Sequence, residues 1–303
     1  MELKRVLTVA GSDSSGGAGI QTDLKTISAL GAYGMSVITA LTAQNTLSVQ
    51  GIHEVPADFV AAQFDSVVDD IGVDAVKTGM LANSEIIKTV ADKLKEYGIV
   101  KVVVDPVMVA KSGAPLLAPE ARETLIRELL PLALVLTPNI PEAEDLSGLA
   151  ISSEAQMKEA ARKINALGVR HVLVKGGHLT GQATDVLFDG RDFHVFSSER
   201  IKTSDTHGTG CTYASAIAAG LAQGLSVYDA IYNAKKFLTL AIRHSLRLGG
   251  GQGPTNPMAH LLRESDRWRC FTALRDAVAR LEKEGCGNII PEVQSNLGYA
   301  LPR

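Results

Sequence analysis

Lys101-Val102-Val103-Val104-Asp105-Pro106 is the stretch on which the fold turns. Three consecutive valines leave no polar side for solvent, so the strand they form needs apolar cover on both faces, the condition of a parallel sheet lined by helices. In both directions from it, short β-rich runs alternate with helical periodicity. Upstream, Arg5 to Ala10 predicts a first strand, followed by a glycine-rich loop and a helix with Ile20, Leu24 and Ile27 on one side, closed near Gly31. Gly34 to Ala43 is a further strand, Pro56 opens a helix carrying Phe59, Phe64 and Val67, and Ala75 to Thr78 leads into a helix through Ile86, Ile87, Val90 and Leu94. Downstream, Pro119 opens a helix, Leu134 to Thr137 is a strand, and Ser153 with Gln156 forms a capping box ahead of Met157, Ala161 and Ile164. His171 to Lys175 is again strand, and Val186 to Phe188 and Phe193 to Phe196 flank Asp189-Gly190 as a hairpin, hence an antiparallel edge. Two helices, Ala214 to Leu221 and Val227 to Leu246, close the pattern. The expectation is a three-layer α/β/α sandwich around a central, mostly parallel sheet.

The chain has 303 residues, enough for one large domain or two small ones. Leu248 to Pro254 is a glycine-rich, linker-like stretch, and the residues beyond it are helical, charged and outside the alternation. This places a boundary near residue 260, between a large domain over 1–260 and a tail over 261–303. Thirty Lys and Arg against 33 Asp and Glu leave a net charge of −3, so no basic face invites nucleic acid. The apolar run Leu129 to Leu136 is broken by Pro131 and far short of the roughly 18 residues of a membrane span. Cys211, Cys270 and Cys286 form neither a disulfide framework nor a zinc pattern, and the cytoplasm is the expected location.

Open α/β sheets bind ligands at the carboxyl ends of their strands. The loop Gly11 to Asp23 feeds a helix N-terminus there, but Gly17 stands where a Walker A motif needs lysine and Thr22 where the dinucleotide fingerprint needs glycine. Thr203 to Thr212 says more. Glycines at 208 and 210 allow a concave run of N–H groups, which the following helix dipole makes attractive to an anion such as phosphate. The same position predicts a depressed pKa for Cys211, against the ordinary reading of a small buried hydrophobe. Asp105, Asn139 and Glu142 supply oxygen ligands of the kind Mg²⁺ takes when it is held chiefly by phosphates, although helix capping accounts for Asn139 and Glu142 equally well. Lys175, ahead of Gly176-Gly177, can reach a phosphate as a point charge.

Gly16-Gly17-Ala18-Gly19-Ile20-Gln21 with Asp23, Ala40 to Thr46, Lys111-Ser112-Gly113, Thr137-Pro138-Asn139, Lys175 to His178 and Thr206 to Cys211, in this order, resemble the bacterial hydroxymethylpyrimidine/phosphomethylpyrimidine kinases of thiamin synthesis. The resemblance spans roughly the first domain and implies a ribokinase-like fold, usually dimeric, that uses ATP and Mg²⁺ to phosphorylate 4-amino-5-hydroxymethyl-2-methylpyrimidine and then its monophosphate. It implies Cys211 as base or proton relay, with Gly208 and Gly210 around the transferring group. Gln44 reads the aminopyrimidine, a role its planar amide suits. Gly11, Asp23, Met80 and Val107 help hold the substrate, Lys175, Thr209 and Asn139 meet ATP, and Asp105 and Glu142 attend the metal. On this reading the carboxamide of Gln44 and the sulfur of Cys211 border one crevice, while His207 and His178 are loop hydrogen-bonders.

Two other readings compete. A pyridoxal kinase of the same fold would phosphorylate a hydroxymethylpyridine, and a pyrimidine sensor would keep the pocket without the chemistry. Gln44 argues against the first, and Lys175, Asn139, Glu142 and Cys211 together against the second. The tail from Ile289 to Pro302 resembles the opening of a fused thiamin-phosphate synthase domain, too short to bury a core, preceded by a helix with Trp268, Phe271, Leu274, Val278 and Leu281 on one face.

Overall fold

The valine strand lies at the middle of the molecule. In this computed structural model, which describes residues 3–108, 116–118, 120–177, 179 and 181–284, Val102–Val104 (β5) is fully buried. Val102 and Val104 pack into one apolar cluster and Val103 into another on the opposite face. The elements preceding it are β1 (Arg5–Asp13), α1 (Gly19–Ala29), β2 (Tyr33–Gln44), β3 (Val49–Glu54), α2 (Ala57–Asp70), β4 (Ala75–Thr78) and α3 (Ser84–Glu96). After it come α4 (Ala121–Thr124), β6 (Val135–Leu136), α5 (Ile140–Ser147), α6 (Glu154–Asn165), β7 (His171–Lys175), β8 (Ala183–Phe188), β9 (Phe193–Ser198), α7 (Thr209–Ala222) and α8 (Val227–Arg243). The strand order is β3-β2-β1-β4-β5-β6-β7-β8-β9. From β2 to β7 every pairing is parallel, and antiparallel strands are added at both ends. Helices α2 to α6 bury Phe64, Ile87, Ala121, Ala143 and Met157 on one face, and α1, α7 and α8 bury Ile27, Ile217 and Ile231 on the other. The three layers therefore arise from which side each apolar stripe faces.

Four features depart from the sequence-based expectations. Strand β1 continues through Gly11-Ser12 to Asp13, with its register shifting between Ala10 and Ser12, where a loop was expected. Strand β3 had no signature, because it pairs only with β2 and its residues are mostly exposed, so no apolar alternation marks it. Helix α7 begins at Thr209, placing Cys211 inside its first turn; Thr and Gly are weak helix formers, and the start is set by tertiary contacts instead. The glycine stretch at 248–254 is not a free linker. Gln252 N–H donates to Thr46 O (3.0 Å), Gly253 N–H to Asp205 Oδ1 (3.0 Å) and His207 N–H to Gly253 O (3.0 Å), so these glycines serve close backbone packing.

The chain divides into two compact units, 1–257 and 258–303. Within the second, α9 (Ala259–Lys283) stacks Trp268 on Phe271 with ring centroids 6.0 Å apart and leaves both rings exposed. Pro119, Lys111-Ser112-Gly113, His178, Cys286 and the 289–302 stretch lie outside the described residues. No helix among the described residues is long and apolar enough to cross a membrane.

Candidate active site

Parallel strands β5, β6 and β7 end side by side, and each delivers a polar group to the same edge. Asp105 follows β5 and is 2% exposed; its Oδ1 accepts from Lys175 Nζ at the end of β7 (2.7 Å) and from the Thr137 hydroxyl beyond β6 (3.0 Å). Burial opposes ionisation of Asp105, but Lys175 and Lys77 outweigh it and hold the carboxyl below its usual range. Burial likewise opposes the Lys175 ammonium, and the Asp105 and Glu142 carboxylates more than restore it. Asn139 caps α5: its Oδ1 accepts from Glu142 N–H (2.9 Å) while Glu142 Oε2 accepts from Asn139 N–H (2.8 Å), a reciprocal capping box. The same turn that caps α5 puts the Glu142 carboxylate within the field of Lys175.

Glu142 is buried, and that burial, reinforced by Asp105 and only partly offset by Lys175, pushes its carboxyl up to about 7. The folded protein therefore holds this proton at pH values where the unfolded chain, at the ordinary 4.5, has released it. Stability is fullest below the unfolded value and declines as pH rises through neutrality, by about 3 kcal/mol at the extreme. Glu142→Gln keeps the capping acceptor and removes the titration. Urea unfolding of the two proteins between about pH 5 and pH 8 should show the wild type losing ground to the variant as pH rises, and parallel curves would contradict this assignment.

Above this floor sits the start of α7. Gly208 takes φ +75°, and a side chain there would collide with the Gly17 carbonyl oxygen, so the turn at 207–211 and the loop after β1 lock together only through glycine. A Cβ on Gly210 would stand 3.1 Å from Asp105 Oδ2 and 3.4 Å from Lys175 Nζ, which places the N-terminal turn of the helix directly on that ion pair. His207 Nε2–H donates to Asp13 Oδ2 (2.8 Å), tying the two loops. Burial works against the Asp13 charge, yet hydrogen bonds from His207 and Ser15 keep its carboxyl below the ordinary range. The carboxamide end of Gln44 lies 3.4 Å from His207 Nε2, so Gln44 and the turn leading to Cys211 occupy the same edge of the sheet. Gly11 and Met80 are neighbours, the Met80 sulfur lying 3.1 Å from where a Cβ on Gly11 would stand. Val107, next to Asp105, is partly exposed, and Thr209 donates its hydroxyl to Thr206 O (2.6 Å).

Two expectations are corrected. The Cys211 thiol is not acidified by its helix terminus: burial raises it to about 11, with Asp23 and Asp105 adding to the rise, against the opposing effects of Lys77 and the Gly19 N–H. Desolvation and two carboxylates outweigh one ammonium and one backbone N–H, so the thiol is protonated at neutral pH. Asp23 does not face a ligand. Its carboxylate is fully buried, Oδ2 accepting from Thr8 Oγ1 (2.6 Å) and Lys77 Nζ (2.8 Å) and Oδ1 from Ser215 Oγ (2.7 Å). Lys77, itself fully buried, was not singled out from sequence. The available signal was a lysine inside the otherwise apolar Ala75-Val76-Lys77-Thr78 strand, which needs a buried counter-charge.

Residues 13–256 match the family model described as phosphomethylpyrimidine kinase. A thiamine biosynthesis bifunctional protein of Geobacter sulfurreducens is 59% identical over 86% of this chain, which spans only 53% of that relative. A Bacillus subtilis hydroxymethylpyrimidine/phosphomethylpyrimidine kinase is 48% identical over 86% of this chain and 96% of its own length. Among solved structures, pyridoxal kinase from Staphylococcus aureus in complex with AMP-PCP and pyridoxal superposes with a TM-score of 0.80 at 40% identity, covering 86% of this chain and 95% of that one.

Proposed function

Because the chain belongs to the phosphomethylpyrimidine kinase family, we propose that it transfers the γ-phosphoryl group of ATP first to the hydroxymethyl oxygen of 4-amino-5-hydroxymethyl-2-methylpyrimidine and then to the resulting monophosphate, as a step of thiamin biosynthesis. Its fold is ribokinase-like. The observation that carries the reading is the seating of Gly210 on the Lys175–Asp105 pair, which sets a helix N-terminus and a buried ammonium around one spot suited to a transferring phosphoryl group. Phosphoryl transfer passes through a loose transition state, so positioning and charge neutralisation are what the protein must supply.

In this mechanism Lys175, Thr209 and Asn139 hold the nucleotide, and the N–H groups of Gly208 and Gly210 face the group in flight. Gln44 pairs with the amino group and a ring nitrogen of the pyrimidine, and Gly11, Met80 and Val107 wall the ring. The hydroxymethyl oxygen forms its bond to phosphorus as the bond to ADP breaks, and its proton passes to the Cys211 sulfur while the S–H proton moves on to an oxygen of the transferred phosphate, so the thiol ends the step as it began. A thiol held protonated is suited to relaying that proton rather than to acting as a standing thiolate. Asp23 acts from below, through Lys77 and Ser215.

Mg²⁺ fits this site. Asp105 helps push the Glu142 carboxyl up to about 7 and Lys175 offsets this only in part, so the two carboxyls together can take a further cation, while among the described residues no cluster of three His, Cys, Asp or Glu side chains could hold a metal alone. An ion held mainly by the nucleotide phosphates, with Asp105 and Glu142 beside it directly or through water, matches that donor set. When bound, it supplies neutralisation of phosphate charge. We place the enzyme in the cytoplasm as a homodimer with small-molecule partners only, in keeping with the family resemblance and the near-balanced net charge.

The deciding experiment incubates the protein with ATP, Mg²⁺ and the pyrimidine alcohol and resolves mono- from diphosphate product, with pyridoxal as competitor. Both products should form, and turnover of pyridoxal far above the pyrimidine would reverse the assignment. Gln44→Leu leaves the polar edge of the ring unpaired, so calorimetry should read a loss of about 1–3 kcal/mol in pyrimidine binding. Unchanged affinity would show that the ring is oriented by other groups.

A further inference from the structure

Among the described residues of the first unit three lysine–aspartate pairs are buried, and one of them, Lys235–Asp185, has no part in the mechanism above. Asp185 is the cross-strand partner of Lys175 in the antiparallel β7–β8 ladder. Directly opposed residues point to the same face of a sheet. Leu173 and Leu187, the partners two positions back, both pack against α7 and α8, so Lys175 and Asp185 project toward those helices as well. A buried carboxylate therefore stands beside the lysine assigned to the nucleotide. Yet Lys175 reaches across to Asp105, because Asp185 is already engaged: its Oδ2 accepts from Lys235 Nζ on α8 (2.6 Å) and its Oδ1 from Gly176 N–H (3.1 Å). The Lys235 side chain is 10% exposed, and its ammonium lies 5.9 Å from the centroid of the Tyr213 ring on α7.

We propose that Lys235 is a positioning residue that occupies Asp185 and so keeps Lys175 directed at the phosphate site. This rests on the reading that Lys175 meets ATP. Without the Lys235 charge, Asp185 becomes an uncompensated buried carboxylate whose nearest cross-strand cation is Lys175. Capture of Lys175 by Asp185 would draw it off Asp105 and leave the nucleotide phosphates short of one cation, while the pyrimidine pocket on the β1 and β2 side stays as it was.

The test compares Lys235→Met, Lys235→Met with Asp185→Asn, Asp185→Asn alone and Lys175→Met in the full-length chain, reading KM for ATP and for the pyrimidine separately at a temperature where circular dichroism shows each folded. Loss of a charge-assisted contact predicts a rise in ATP KM on the order of tenfold to a hundredfold in Lys235→Met, with pyrimidine KM within about threefold. Adding Asp185→Asn should restore ATP KM, since the amide still accepts from Gly176 N–H but no longer competes for a lysine. A merely structural loss lowers the folded fraction without separating the two KM values. If Lys235→Met does not accumulate folded, Lys235→Gln, which removes the charge but can still donate to Asp185, should raise ATP KM in the same direction by a smaller factor, and no rise there overturns the proposal. An unchanged ATP KM in the single variant, or no recovery in the double, overturns the proposal. An ATP KM unmoved in Lys175→Met would instead remove Lys175 from nucleotide binding, and with it the premise.

Discussion

Lys77→Met is expected to destabilise the protein by about 3–5 kcal/mol, the largest effect on folding of any single substitution considered. Lys77 and Asp23 are both fully buried, and the ammonium is held 2.8 Å from Asp23 Oδ2. Taking two charges out of water is costly, and their mutual attraction plus the Thr8 and Ser215 hydroxyls offset that cost. Methionine fills most of the volume but leaves Asp23 ionised and unpaired, or forces it to take up a proton. Replacing both partners, as in Lys77→Met with Asp23→Asn, should recover much of the loss, because no buried charge then lacks a counter-charge. Urea denaturation of the three proteins measures this. A single-variant loss below about 1 kcal/mol would mean that water or another group reaches Asp23.

The second large effect is on turnover. Cys211→Ala should slow phosphoryl transfer on the order of a hundredfold to ten-thousandfold, the range typical of losing a proton-transfer group, while pyrimidine binding measured by calorimetry stays close to that of the parent. The alanine keeps the helix start, since Gly208 and Gly210 set the turn. Cys211→Ser should fall between the two, because a hydroxyl can also relay a proton. Undiminished turnover in the alanine variant would take Cys211 out of the reaction. Because the Cys211 thiol is raised to about 11 rather than lowered, alkylation by iodoacetamide should be slow at neutral pH and quicken toward alkaline pH. Rapid alkylation at pH 7 would instead indicate a thiolate stabilised beyond what Lys77 and the Gly19 N–H provide.

The individual site residues differ in how far sequence could read them. Asp105 and Lys175 each stand at the end of a recognisable strand, and a parallel sheet brings such ends together, so their 2.7 Å contact is a consequence of the topology. Glu142 was readable as a helix cap; its displaced titration was not, because that depends on burial and on Asp105 from another strand. Asp23 was visible as an acid on the first helix, but its direction was misread, since the Lys77 that claims it lies 54 positions away on β4. Strand β3 escaped notice because an exposed edge strand needs no apolar alternation. The glycines at 249–253 read as a linker, and only the distant Thr46 and Asp205 reveal them as packing positions.

Periodicity and the all-valine strand by themselves determined the layered α/β/α architecture, because apolar faces of given spacing can be buried in few ways. The ordered glycine, lysine and cysteine motifs carried the family resemblance, and it was the resemblance that implied the class of chemistry. Tertiary structure alone decided the electrostatics: which carboxylate each of Lys77, Lys175 and Lys235 neutralises, and whether Cys211 carries its proton. Charge interactions in a dry interior depend on distances between residues remote in the chain and on the water excluded around them, and neither quantity is written in local sequence.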